Sequence, residues 1–241
     1  MQKITIVTAY YNRKTQFVHT LKSISKSQYS NYEIIVVDDC SDEDQRLEDL
    51  VSQYPIKLIR LKKEYKWYIN PSVPFNIGIK AVSEDTDIVV LQNPECYHVH
   101  DILSYVNINL SESNYLTFGA YNLNKTNTKK LYDGVNFNIL PRKNNVKHGG
   151  WLNHSIYRPS YFHFCSAITK NNLDLLGGFD EKYALGIGYE DNDFVHRIRK
   201  LGLKIDIVDY KVVYHQYHDN CFLHESHEDL AAKNKEIYYA K

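Results

Sequence analysis

Residues 4–13 read Ile4-Thr5-Ile6-Val7-Thr8-Ala9-Tyr10-Tyr11-Asn12-Arg13, an apolar run that ends in polar groups. The stretch 4–9 predicts a buried strand. Beyond it, Phe17, Val18, Leu21 and Ile24 recur at helical spacing over 15–27. A second apolar run spans 33–37 and closes on Asp38-Asp39-Cys40-Ser41. Leu47, Leu50 and Val51 mark a helix over 44–53, and 57–61 reads as a third strand. A helix is predicted over 74–81 and a fourth strand over 87–91. Strands alternating with helices imply right-handed crossovers, hence a parallel sheet covered on both faces. The predicted fold class is therefore α/β, a Rossmann-like, mostly parallel central sheet flanked by helices.

Such a sheet binds ligands beyond the carboxyl ends of its strands. Here those ends carry Thr8 to Arg13, Asp38-Asp39, and Gln92-Asn93-Pro94-Glu95. No G-x-G-x-x-G follows the first strand, so a pyrophosphate cradled on a helix N-terminus is not supported. A metal ion neutralising phosphates is the acidic alternative.

The second half is less periodic. Asn and Lys crowd 122–130 and 143–147, and 107–153 reads as an acceptor-side region with exposed loops. Gly149-Gly150-Trp151 suggests a flexible loop that closes over a ligand, with Trp151 as a stacking platform; a core tryptophan is the competing reading. Residues 164–168 read as a strand. Then Gly186 and Gly188 lead into Tyr189-Glu190-Asp191-Asn192-Asp193, with three carboxylates in four residues at the mouth of a helix. Such crowding is costly unless a cation or a moving proton uses it; an acidic first turn favoured by the helix dipole is the plainer reading. With no internal repeat or linker, one domain over 1–241 is expected, with a nucleotide-binding half (1–100) and an acceptor-binding and catalytic half (101–241).

Lys plus Arg and Asp plus Glu both number 29, so no net positive field is available for a nucleic-acid backbone. The apolar content of 43% suffices for a core. Cys40, Cys96, Cys165 and Cys221 form no C-x-x-C pair, which fits free thiols in a reducing, cytoplasmic setting. The start passes straight into a strand rather than a signal peptide, and no run is long enough to span a bilayer.

In order, the segments 6–13, 34–41, 89–95 and 176–193 resemble the GT-A fold nucleotide-sugar glycosyltransferases, close to the family-2 group. The resemblance implies that Thr8 and Tyr10 lie against the nucleoside and that Asp39 accepts the uracil imide proton, an interaction cytosine cannot offer. It places Asn76 and Asn93 near the nucleotide, and Trp151 and Tyr189 on the acceptor side. Most members carry Asp-x-Asp or Asp-Asp after the fourth strand; here Asn93-Pro94-Glu95 stands instead, with Glu95 keeping the metal-ligating charge. His215 would complete a site for Mn²⁺ or Mg²⁺, with His218 as a second imidazole. His224 and His227 read as surface histidines, since their spacing fits no zinc motif.

Together these imply an inverting transfer of a hexose or N-acetylhexosamine from a UDP-linked donor. Asp191 is the general base and Glu190 orients the acceptor. The acceptor is a glycan, lipid-linked or protein-linked sugar, as in polysaccharide biosynthesis, and any membrane contact is peripheral. A degenerate, non-catalytic nucleotide- or glycan-binding domain is the second reading, motivated by Asn93-Pro94-Glu95. A nucleotidyltransferase is disfavoured because no Gly-rich, Lys-bearing loop follows the first strand.

Overall fold

The computed structural model describes residues 1–135, 149–219 and 226–240. A single nine-stranded sheet organises them, in the order β3-β2-β1-β4-β8-β6-β9-β5, with β7 paired to β6. Its first half is the expected parallel unit. β1 (Ile4–Tyr10) lies between β2 (Tyr32–Asp38) and β4 (Ile88–Gln92), and β3 (Ile56–Arg60) flanks β2, all parallel. Beyond β4 the sheet turns mixed. β8 (Cys165–Thr169) runs antiparallel to β4 and to β6 (Asn114–Leu123), and β9 (Lys204–His215) runs parallel to β6. The short β5 (Cys96–His98) closes the edge against β9.

Period-two alternation builds two cores. Ile4, Ile6 and Tyr10 of β1 and Ile34 and Val36 of β2 face one side, under Phe17, Leu21 and Ile24 of α1 (Lys14–Ile24). Val7, Ile35 and Val37 face the other, against Phe75 of α3 (Ser72–Lys80) and Phe194 and Ile198 of α7 (Glu190–Lys200). Each fully buried Ile, Val or Phe contributes roughly 1.5–3 kcal/mol, so both faces are needed to hold the sheet. Gly78 lets α3 seat closely, since a Cβ there would stand 2.5 Å from Val7 Cγ1.

Two expectations change. The segment 44–53 is a short 3₁₀ turn (Glu43–Gln45) followed by α2 (Glu48–Val51), not one helix. The region 107–153 holds more regular structure than its Asn and Lys content suggests. α4 (Ile102–Asn109) precedes β6 with its burial pattern of nearly continuous buried positions, α5 (Lys125–Tyr132) follows, and β7 (Gly149–Asn153) pairs with β6. Strand β6 is central, buried on both faces, so its apolar positions do not alternate. The run 143–147, Cys221 and His224 lie outside the described residues. α6 (Lys170–Leu176) follows β8, and α8 (His227–Tyr239) carries Asn234, whose side chain donates to the carbonyls of Tyr183 and Gly188 at 3.0 and 2.8 Å.

Candidate active site

The carboxyl ends of β1, β2 and β4 open on a cleft of about 290 Å³. Ala9, Tyr11 and Arg13 line it after β1, Asp39 after β2, and Asn93, Pro94 and Glu95 after β4; Lys66, Ile69, Pro71 and Phe75 form the opposite wall. Asp39 and Asn93 thus stand where the sequence places them. Asp39 already holds two donors, with Lys66 Nζ 2.7 Å from Oδ2 and Tyr68 Oη 2.6 Å from Oδ1. The Lys66 ammonium also lies 5.1 Å from the Tyr11 ring centroid and 5.4 Å from that of Tyr68. Asp38, in contrast, is wholly buried and pairs with Arg60 at 2.7 Å.

The expected roles of Thr8 and Tyr10 need correction. Both are buried and absent from the cleft lining. Tyr10 packs on Phe17 and its hydroxyl donates to the Gln45 carbonyl at 2.6 Å. Side chains alternate along a strand, so the cleft receives Ala9 and Tyr11 instead. Asn76 is also elsewhere. Its amide donates to the Phe179 carbonyl and to Glu181 Oε1, both at 2.9 Å, and its Oδ1 accepts from the Phe179 N–H at 2.8 Å. Each part of the amide group is engaged in tying α3 to the loop before α7. Gly178, at φ 79°, completes that tie, because a Cβ would fall 2.4 Å from Asn76 Oδ1.

Glu95 sits at the end of the β4 turn, where the pairing Cys96↔His215 brings β9 alongside. His215 Nε2 lies 3.0 Å and His218 Nε2 3.6 Å from Glu95 Oε1. One donor atom from each of the three falls within 4.8 Å of the others. Burial alone would raise the Glu95 carboxyl, but the two imidazoles hold it well below the ordinary carboxylate range. His218 is raised: burial opposes the shift, and the hydrogen bond to Glu95 outweighs it. A buried carboxylate with two convergent imidazoles fits a divalent cation that accepts mixed O and N donors.

At the start of α7 the three carboxylates part company. Asp193 is fully buried and binds Arg197 Nε at 2.7 Å, while that guanidinium also donates to the carbonyls of Leu176 and Gly178, both at 2.8 Å. It is a structural tie, one turn along the helix. Glu190 is buried and accepts from Asn70 Nδ2 at 2.8 Å. Burial, then the neighbouring Asp191, push its carboxyl up to about 7, against the Asn70 hydrogen bond. Asp191 keeps 21% of its side chain accessible and lies 2.5 Å from His163 Nδ1. His163 packs edge-on against Phe75, a wall of the cleft, at 4.8 Å between centroids. This chain of contacts links Asp191 to the cleft that Asp39 and Glu95 share.

Of the acceptor-side candidates, Trp151 is a core residue and not part of a sugar-closing loop. It is buried in β7, with Tyr121 at 5.2 Å and His154 at 4.4 Å between centroids. Tyr189 caps α7 with φ 67° and meets Tyr238 and Tyr239 of α8 at 5.6 and 6.3 Å. The sequence reasoning did not single out Tyr11, Lys66, Tyr68, Asn70 or His163. For His163 a signal existed: it precedes a strand antiparallel to β4, which returns it to the carboxyl edge of the sheet.

The fold is the GT-A fold of nucleotide-sugar glycosyltransferases. Its residues 5–104 match the family described as Glycosyl transferase family 2, and residues 153–219 match the N-terminal domain of galactosyltransferase. An uncharacterized glycosyltransferase of Haemophilus influenzae is 39% identical over 94 residues, 39% of this chain and 30% of that protein. The S. aureus TarS 1-349 structure in complex with UDP-GlcNAc superposes with a TM-score of 0.66 at 18% identity, over 96% of this chain and 64% of that one. GalNAc-T7 with UDP, GalNAc and Mn²⁺ gives 0.67 at 15% identity, over all of this chain and 50% of that one. The chain thus spans less than a third of its curated relative and less than two thirds of either structure. Among the described residues no helix is long and apolar enough to cross a membrane.

Proposed function

We propose that the protein transfers a hexose or N-acetylhexosamine from a UDP-linked donor to the hydroxyl of a glycan-type acceptor, with inversion at the anomeric carbon. What supports this is a cleft that holds Asp39 and Glu95, three convergent donor atoms of Glu95, His215 and His218, and a partly accessible Asp191 that reaches the cleft wall through His163 and Phe75. Asp39 accepts the uracil imide proton, with Tyr11 beside the nucleoside and Asn93 on the cleft floor. Glu95, His215 and His218 would hold a divalent cation, Mn²⁺ rather than Mg²⁺ because of the two imidazoles, and a bound cation would supply Lewis-acid neutralisation of the departing diphosphate.

Asp191 takes the acceptor hydroxyl proton as that oxygen forms its bond to the anomeric carbon. The bond from the anomeric carbon to the diphosphate breaks, and its electron pair leaves with the diphosphate. A positioned base contributes roughly 10²–10⁴-fold to such a step. Glu190, buried and easily protonated, hydrogen-bonds the acceptor or holds the turn that presents Asp191. The family-2 match and the nucleotide-sugar complexes of the similar structures support this reading, and free Cys40, Cys96 and Cys165 suit a cytoplasmic setting. A screen of nucleotide sugars with and without Mn²⁺, read by UDP release and by thermal shift, tests it. Mn²⁺-dependent release from at least one UDP-sugar is expected. Nucleotide-dependent stabilisation without any turnover would favour a non-catalytic binding domain.

A further inference from the structure

The Asp191 carboxylate is held by a residue distant in sequence. Its Oδ1 lies 2.5 Å from Nδ1 of His163, on the segment that enters β8. The His163 ring is 7% exposed and gripped by two phenylalanines, Phe75 at 4.8 Å and 88° and Phe179 at 4.8 Å and 59°. A ring clamped in this way has little freedom to turn, so its Nδ1 is a fixed point. Among the described residues Asp191 Oδ2 has no hydrogen-bond partner, and the side chain is 21% accessible. One carboxylate oxygen is tethered and the other is open. A general base needs that arrangement, because small errors in the angle of approach cost rate.

We propose that His163 is a positioning residue: it donates from Nδ1 to Asp191 Oδ1 and thereby aims Oδ2 at the acceptor hydroxyl. The proposal rests on Asp191 as the base. The charged groups that face the imidazole are Asp191 and Glu190, both on α7; α3 and the loop before α7 present the rings of Phe75 and Phe179. Burial lowers the affinity of the ring for a second proton, and the two carboxylates more than restore it. The Nδ1 proton stays on the imidazole throughout, so no extra transfer step is required. A purely structural histidine would serve equally well as phenylalanine in this aromatic clamp, which gives the test its leverage.

The test compares His163→Phe, His163→Asn, Asp191→Asn and the double variant Asp191→Asn/His163→Phe. The assay is UDP release from UDP-N-acetylglucosamine with Mn²⁺, alongside ¹⁵N-detected titration of the histidine rings in the full chain. His163→Phe is expected to keep the melting temperature and the KM for the donor while kcat falls by roughly 10–100-fold. Asn places an amide N–H where Nδ1 stood, so His163→Asn should recover much of the rate and lose the pH limb that belongs to the imidazole. In the Asp191→Asn background His163→Phe should change nothing further. The ring signal of His163 should titrate at higher pH in the wild type than in Asp191→Asn. Full kcat in His163→Phe, additive losses in the double variant, or a His163 titration indifferent to Asp191→Asn would each overturn the proposal. Full turnover by Asp191→Asn would instead remove the base assignment itself, a separate outcome.

Discussion

Two sets of carboxylates frame this cleft, and their surroundings are opposite. On the donor side, Glu95 is buried against His215 and His218, and Asp39 against Lys66 and Tyr68. The two imidazoles favour charge on Glu95. At the mouth of α7, burial and the like-charged Asp191 push the Glu190 carboxyl up to about 7, against the hydrogen bond from Asn70 and the attraction of His163. Asp191, next along the chain, remains partly accessible on His163. In the proposed reaction, one side holds negative charge against a ligand and the other exchanges a proton.

The comparison breaks most visibly at the third member of the acidic cluster. Asp193→Ala leaves the partly buried Arg197 guanidinium on its two carbonyl partners without the fully buried carboxylate, and breaking such a pair costs about 3 kcal/mol. Denaturant melts should show that loss; a change below about 1 kcal/mol would mean the pair is not structural. On the donor side, Glu95→Gln removes the one carboxylate that, among the described residues, the proposed cation site has. Mn²⁺ affinity measured by calorimetry should fall on the order of a hundredfold, about 2.7 kcal/mol. Unchanged Mn²⁺ binding would place the cation elsewhere.

Glu190 sharpens the contrast through pH. Its native carboxyl holds a proton up to about 7, whereas the ordinary value is 4.5. Between those values the native state binds more protons than the unfolded one, so stability falls as pH rises. Glu190→Gln removes this term. The variant should match the wild type near pH 5 and exceed it by on the order of 2 kcal/mol at pH 8. A constant difference across that range would contradict the assignment. The smallest expected effect separates the adjacent tyrosines. Tyr11→Ala should weaken UDP binding by about 1 kcal/mol, from lost stacking, with little change in stability. Tyr10→Phe should cost about 1 kcal/mol of stability through its hydroxyl and leave UDP binding alone.

How far the sequence disclosed this follows from the same physics. The apolar runs of β1, β2 and β4 and the polar groups at their ends were legible, because a doubly covered parallel sheet demands both. Asp39, Glu95, His215 and Asp191 could be named because charged groups at strand ends and helix mouths are few. Tyr10 against Tyr11 was missed by one residue, since a strand's last turnout to the cleft depends on where the pleat ends. Asn76 and Trp151 carry functional-looking chemistry but spend it on internal ties, Asn76 to Phe179 and Trp151 to Tyr121. His163 and Asn70 gain their importance only from partners 28 and 120 positions away, which no local pattern encodes.

The most direct measurement is UDP release by Asp191→Asn, set beside its UDP- and Mn²⁺-dependent thermal shift. Turnover should drop by roughly 10²–10⁴-fold while the ligand-induced shift in melting temperature equals that of the wild type. Wild-type turnover in that variant would contradict the division of labour between the two sides of the cleft.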